Sequence, residues 1–178
     1  MQVREALLKD AAAISRVHVN AWRTTYPGIV SDKVLDNISY DRRMQFWQET
    51  LSEPDKQSII LVADHPSKGV VGFASAGPER TGNLPYQAEL YAIYMLKPYQ
   101  GMGIGRQLVA GIAQRLVERG MTSMLVWVLR DNLFRAFYEA LGGQEAGEQE
   151  ITIGQANLVE VAYGWKDIRP LASPEFSQ

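Results

Sequence analysis

Three glycines at alternate positions, Gly101, Gly103 and Gly105, stand between a stretch typical of a β-strand and a stretch typical of a helix. Glycine lets backbone N–H groups turn toward one point, and the start of the following helix is the positive end of its dipole. Lys97 and Arg106 add positive charge. The segment therefore suits a phosphate or pyrophosphate, although the same glycines are also consistent with a simple tight turn between strand and helix.

Two common phosphate-binding motifs do not fit this segment. A P-loop needs Gly-Lys followed by Ser or Thr, whereas Gly105 is followed by Arg106 and Gln107. The dinucleotide-binding motif has a different glycine spacing and lies close to the first strand of its domain. Neither pattern is present in this segment.

Two blocks of the sequence together resemble one known family. The first is Gln100-x-x-Gly103-x-Gly105, and the second is Asp131-Asn132 followed by Phe137-Tyr138-Glu139-Ala140-Leu141-Gly142-Gly143. They are similar to the two CoA-contacting segments of the GNAT superfamily of acyl-CoA N-acyltransferases, and their separation matches that family. The order of elements agrees as well, from the N-terminus to about Tyr163, so the resemblance covers nearly the whole chain.

The resemblance implies a fold and an activity. The fold is mixed α/β (α+β), with a central, mostly antiparallel sheet of about seven strands flanked by helices and a cleft where the fourth and fifth strands splay apart at a bulge. The activity is transfer of an acetyl group from acetyl-CoA to a primary amine of a small molecule, or of a peptide or protein, by direct attack through a tetrahedral intermediate. The alternative is a catalytically silent GNAT-like module that binds acyl-CoA as a sensor or interaction domain.

The resemblance also places the co-substrate, acetyl-CoA, on the chain. The fourth strand would pair with the pantetheine amides as an added strand does, and the backbone amides of residues 101–106 would hold the pyrophosphate. Asn132 would bond to pantetheine, unless it only caps a helix. The cofactor-binding residues implied are Ile93, Tyr94, Met95, Gln100, Gly101, Met102, Gly103, Ile104, Gly105, Arg106 and Asn132.

Two side chains are candidates for proton transfer. Direct attack needs a neutral amine, so some group must take the proton of an alkylammonium whose pKa is about 10. Glu89, at the start of the fourth strand, is the candidate base through water, and its alternative is a solvated charge at a strand end. Tyr138 matches the family's tyrosine that protonates the departing CoA thiolate, and its alternative is packing beside Phe134 and Phe137.

The acceptor pocket is expected near Trp22 and Tyr26, because they resemble the family's variable aromatic region between the first helices, although core packing is equally consistent. The sequence has no cysteine, and its two histidines, His18 and His65, have no visible partner. We therefore expect no metal cofactor.

Hydrophobic periodicity and capping residues predict one mixed α/β domain over residues 1–168 and a frayed C-terminal tail over residues 169–178. Helices are predicted from Asp10 to about Ala21, after Ser31, after Ser39 to Leu51, from Ile104 to Gly120, and from Asp131 or Asn132 to residues 141–143. Strands are predicted at residues 2–5, 58–63, 69–76, 88–96, 123–129, 149–153 and 158–163.

Composition limits the partners. The 178 residues carry a formal net charge of −2 with a pI of about 5.7, so we expect neither nucleic acid nor an anionic membrane surface as a partner. The first 20 residues are interrupted by charges, and the chain has no long apolar run, which predicts a cytoplasmic protein. The family resemblance implies a homodimer.

Overall fold

The computed structural model describes residues 1–53, 57–173 and 176. Within these residues the helices are α1 Ala11–Thr25, α2 Asp32–Asp36, α3 Tyr40–Ser52, α4 Ile104–Glu118 and α5 Arg135–Ala140. The strands are β1 Gln2–Glu5, β2 Ile59–His65, β3 Gly69–Pro78, β4 Ala88–Met95, β5 Met124–Leu129, β6 Gln144–Ile153 and β7 Ala156–Trp165. They form one sheet in the order β1-β2-β3-β4-β5-β7-β6, in which only the β4–β5 pair is parallel.

Helices cover both faces of the sheet, and β2 shows how the sequence divides the two cores. Ile59 and Leu61 belong to the core beneath α4, whereas Ile60 and Val62 belong to the core beneath α1 and α3. Successive side chains of a strand point to opposite faces, so a continuous apolar run is what a strand between two helical layers requires. The central sheet with flanking helices confirms the predicted fold class.

The predicted elements are present, but several of their boundaries differ. Helix α1 continues past Ala21 to Thr25, and the N–H of Tyr26 still donates to the carbonyl of Trp22 (3.1 Å). Helix α5 begins at Arg135 rather than after residue 131 or 132, because Asn132 Oδ1 accepts the N–H of Phe134 (2.9 Å) in a turn before the helix. Strand β6 begins five residues earlier than predicted, and strand β7 is longer by two residues at each end. The two strands form a long hairpin.

The end of the chain is also more packed than a frayed tail. Leu171, within the predicted tail, is buried at 3% exposure in the core beneath α4, next to Ile168 at the end of the predicted domain. Residues 174–175 and 177–178 lie outside the described residues. In the described part of the chain, helices are too short or too polar to cross a membrane.

A buried histidine makes the stability of the fold depend on pH. His18 is 7% exposed, and its ring stacks on Tyr94 with centroids 5.1 Å apart. Burial, with a smaller effect of Arg43, lowers the pKa of His18 from 6.5 to about 3. The folded state therefore binds fewer protons than the unfolded state between these values, and the stability is complete above pH 6.5 and is lost as the pH falls toward 3.

We expect His18→Phe to flatten this dependence. Wild-type protein should lose about 4 kcal/mol of unfolding free energy to this group as the pH falls from 6.5 to 3, by about 1.4 kcal/mol per pKa unit. Denaturant titrations at several pH values measure it. His65→Phe, in the β2–β3 hairpin, is the control and should keep the wild-type slope; an unchanged slope in His18→Phe would contradict the assignment.

Candidate active site

Strands β4 and β5 pair at their first residues and then separate. Ala88 lies opposite Met124 and Glu89 opposite Leu125, and no further pair between these strands follows in the described residues. On the other edge of β4 the register with β3 shifts, because Ala76 lies opposite Leu90 whereas Ser75 lies opposite Ala92. Tyr91 is therefore an extra residue, and it forms the bulge at which β4 bends away from β5. This confirms the splayed cleft.

The cleft holds a cavity of about 550 Å³ that passes through the sheet. One end lies at the glycine loop and the start of α4, and the other end lies at the last turn of α1. The predicted site residues that line it are Trp22, Tyr26, Ile93, Tyr94, Met95, Gln100, Gly101, Gly103, Gly105, Arg106, Asn132 and Tyr138. The cavity thus joins most of the predicted site residues, which come from three separate parts of the sequence.

The glycine loop has the geometry that an anionic ligand needs. Gly101 and Gly103 have φ angles of 73° and 77°, in the left-handed region that favours glycine. A Cβ atom at either position would meet nothing within 4 Å, so the space beside the backbone is open. The helix α4 begins directly after Gly103. The loop therefore fits a pyrophosphate held by backbone N–H groups at a helix start.

The other predicted CoA contacts differ in their access to the cavity. Gln100 lines it, and its Nε2 donates to the carbonyl of Met95 (3.3 Å). Arg106 also lines it, and its guanidinium lies 4.7 Å from the ring centroid of Phe176. Met102 (63% exposed) and Ile104 (3% exposed, in the core) do not line the cavity.

Asn132 has features of both a local cap and a ligand-binding residue. Its Oδ1 accepts from the backbone of Phe134, as a local turn requires, and the residue also lines the cavity at 8% exposure. The Oδ1 bond leaves the amide NH₂ for a ligand acceptor. Both functions are therefore compatible in this structure.

Tyr138 reaches the cavity from α5. It is 8% exposed, its ring meets Phe137 edge to face (5.3 Å), and it stacks on Tyr163 (6.0 Å). Burial raises the pKa of the Tyr138 phenol, and Tyr94 adds to the effect. The hydroxyl makes no hydrogen bond to the described residues. A packed ring therefore holds a protonated hydroxyl at the cavity wall, as a proton donor requires.

Glu89 is buried and bound by an arginine. It is 2% exposed and does not line the cavity. Arg80, from the β3–β4 connection, donates from Nε to Oε2 (3.1 Å) and from Nη2 to Oε1 (2.5 Å), and its backbone N–H donates to Oε2 (3.3 Å). Glu89 is thus not a solvated charge at a strand end. Its use as a base through water stays a prediction.

Trp22 and Tyr26 close the end of the cavity opposite the glycine loop. Their rings are 4.7 Å apart, and Trp22 Nε1 is buried without a partner among the described residues. Tyr26 is 7% exposed, and burial raises the pKa of its phenol. It also packs with Leu35 and Leu129. The aromatic pair therefore belongs to the cavity wall and to a small core at the same time.

Sequence reasoning missed the contribution of the β6–β7 hairpin. Ile151, Ile153 and Glu160 line the cavity near the aromatic pair. Glu160 is the acidic residue of the lining, and its Oε2 accepts from Gln149 Nε2 (3.0 Å). Both faces of β7 carry apolar side chains, so alternation along the strand could not show which face meets the cavity. Among the described residues, no group of three or more metal-ligating side chains comes together.

Known proteins are similar to this chain in sequence and in structure. The FR47-like protein family matches residues 82–152, which span β4, the glycine loop, α4, β5 and α5. The uncharacterized N-acetyltransferase YuaI of Bacillus subtilis is 38% identical over 169 residues, covering 95% of this chain and 95% of that protein.

Two solved structures share the fold. The PaiA N-acetyltransferase of Thermoplasma acidophilum, in complex with coenzyme A, has a TM-score of 0.70 at 20% identity, over 89% of this chain and 96% of that one. The Salmonella typhimurium protein yncA, with its cofactor acetyl-CoA, has a TM-score of 0.69 at 20% identity, over 93% and 92%. Together with the sequence relative and the splayed cleft, they show that the chain belongs to the GNAT superfamily and is an acetyl-CoA-dependent acyltransferase.

Proposed function

We propose that this protein transfers the acetyl group of acetyl-CoA to a primary amine of a small molecule by direct attack through a tetrahedral intermediate. The observation that carries the proposal is the continuous cavity through the splayed sheet. It has a phosphate-suited loop at one end, a buried tyrosine hydroxyl on its wall and an aromatic pair at the other end. When bound, acetyl-CoA supplies an acetyl group activated as a thioester.

The chain would hold CoA with backbone groups. The backbone N–H groups of residues 101–106 and the charged side chain of Arg106 bind the pyrophosphate at the start of α4. The positive end of the helix adds to the attraction. Ile93, Tyr94 and Met95 pair with β3 along one edge of β4, and past Glu89 the other edge lacks a pair with β5. Those backbone groups need partners, and the pantetheine amides provide them as an added strand does.

The bulge and Tyr138 would serve the reaction itself. A backbone N–H at the Tyr91 bulge stabilises the negative charge on the carbonyl oxygen, a contribution of about 3 kcal/mol in comparable oxyanion sites. Tyr138 donates its proton to the departing thiolate. Glu89 takes the proton of the amine through water, and Trp22 and Tyr26 form the wall against the acceptor.

Replacing each partner of the Arg80–Glu89 salt bridge in turn tests the assignment of Glu89 as the base. We expect Glu89→Gln to lower kcat by about 10- to 100-fold, because the carboxylate that takes the proton is lost. Arg80→Gln disturbs the same salt bridge but keeps the carboxylate, so it should retain most of the activity. Steady-state kinetics with thermal melts measure both variants; equal losses of kcat would assign Glu89 a structural function only.

Calorimetric titration with acetyl-CoA, followed by a thiol-release screen against primary amines, amino acids and peptides, tests the proposed function. We expect acetyl-CoA binding and thiol release that depends on a small amine. Binding without turnover on every acceptor would contradict the proposal and favour a sensor, and turnover on peptides alone would contradict the small-molecule substrate. The homodimer and the cytoplasmic location stay predictions.

A further inference from the structure

The acceptor end of the cavity carries one negative charge among the lining residues that the structure describes. The charged residues that line the cavity are Arg106, at the glycine loop, and Glu160, beside the aromatic pair on the other face of the sheet. Glu160 follows Leu158 on the same face of β7, and Leu158 packs with Tyr26 and Ile151. An acidic side chain therefore stands on an otherwise apolar and aromatic surface.

The carboxylate of Glu160 can accept further hydrogen bonds. Its Oε2 accepts a hydrogen bond from Gln149, whereas its Oε1 has no bond to the described residues. It forms no salt bridge there either, since the nearby guanidinium of Arg80 binds Glu89 with two nitrogens. A partly buried carboxylate in an apolar cavity gains stability from a cation that enters with its ligand.

The surrounding aromatic residues also favour a cation. Tyr26, Tyr94 and Glu160 all line the cavity. Burial raises the pKa of the Tyr26 and Tyr94 phenols, and the charge of Glu160 adds to both shifts. These phenols stay neutral, and the rings of Tyr26 and Trp22 can stabilise an ammonium group. At this end, a carboxylate of a ligand would meet the negative charge of Glu160. Arg80 is already bound to Glu89, and Arg43, whose charge acts on Tyr94, does not line the cavity.

Resting on the proposed function, we propose that Glu160 binds the ammonium group of the acceptor and selects amines that carry no carboxylate. The acceptor class is then a simple amine with an apolar aliphatic or aromatic body, and α-amino acids are excluded by repulsion. Selectivity comes from binding in the ground state, so it affects KM more than kcat.

Pairs of compounds that differ only in the α-carboxylate test this inference. Pentylamine is compared with norleucine, and 2-phenylethylamine with phenylalanine. Each is titrated calorimetrically into protein saturated with CoA, which cannot transfer an acetyl group. We expect wild-type protein to bind at least one amine about 10- to 100-fold more tightly than its amino acid, and Glu160→Gln to reduce the ratio to about threefold or less.

Glu150→Gln is the matched control. Glu150 lies on β6 in the same hairpin, its side chain is exposed, and it does not line the cavity, so this variant should keep the wild-type ratio. Equal binding of amine and amino acid by wild-type protein, absence of amine binding, or an unchanged ratio in Glu160→Gln would overturn the inference. Because the titration needs no turnover, intact amine selectivity without thiol release would contradict only the proposed function.

Discussion

Tyr138→Phe should lower kcat by about 100- to 1,000-fold and leave the Kd of acetyl-CoA within about twofold of wild type. The phenol loses only its hydroxyl, and this hydroxyl makes no hydrogen bond to the described residues, so the packing against Phe137 and Tyr163 is retained. The thiolate must then leave without its proton donor. Stopped-flow thiol release and calorimetry separate the two quantities.

Tyr163→Phe is the matched control for this experiment. Tyr163 stacks on Tyr138, but its hydroxyl donates to Glu139 (2.7 Å), accepts from Arg135 Nε (3.0 Å) and lies outside the cavity lining. We expect kcat close to wild type, with some loss of stability. If Tyr138→Phe retained its kcat, or if Tyr163→Phe lost as much, Tyr138 would not be the proton donor.

Local signals in the sequence were sufficient for most of the fold. Strand β1 has the predicted bounds, and helix α4 follows the apolar stripe from Ile104, because an amphipathic pattern is written into the residues of the element itself. The end of α1 was less certain from the sequence, since Pro27 is the first strong breaker after Ala21. The structure accordingly adds one more helical turn.

Contacts between residues that are far apart in the sequence could not be predicted from local sequence patterns. Glu89 was placed correctly at the start of β4, but its burial depends on Arg80, which an irregular connection folds back onto it. Glu160 reaches the cavity only because β7 lies beside β5, although α5 and β6 separate these strands in the sequence. Sheet order and loop conformation fixed these two positions, and neither follows from the residues nearby.

Gly103→Val should raise the Kd of acetyl-CoA by about 100-fold or more. The side chain would occupy the open space beside the loop, where a Cβ atom meets nothing within 4 Å and where the phosphates must approach the backbone. Loss of two hydrogen bonds to a charged group, each worth about 1.5–3 kcal/mol, accounts for an effect of this size. Calorimetric titration with acetyl-CoA measures it.

Gly120→Val separates the lost contact from the backbone strain that any side chain brings to a positive φ. Gly120 has a φ of 80°, against 77° for Gly103, it also has open space around it, and it follows the opposite end of α4. Both variants should therefore lose similar stability in thermal melts, while only Gly103→Val loses affinity. Equal affinity in the two folded variants would mean that the glycine loop makes a turn and does not bind the pyrophosphate.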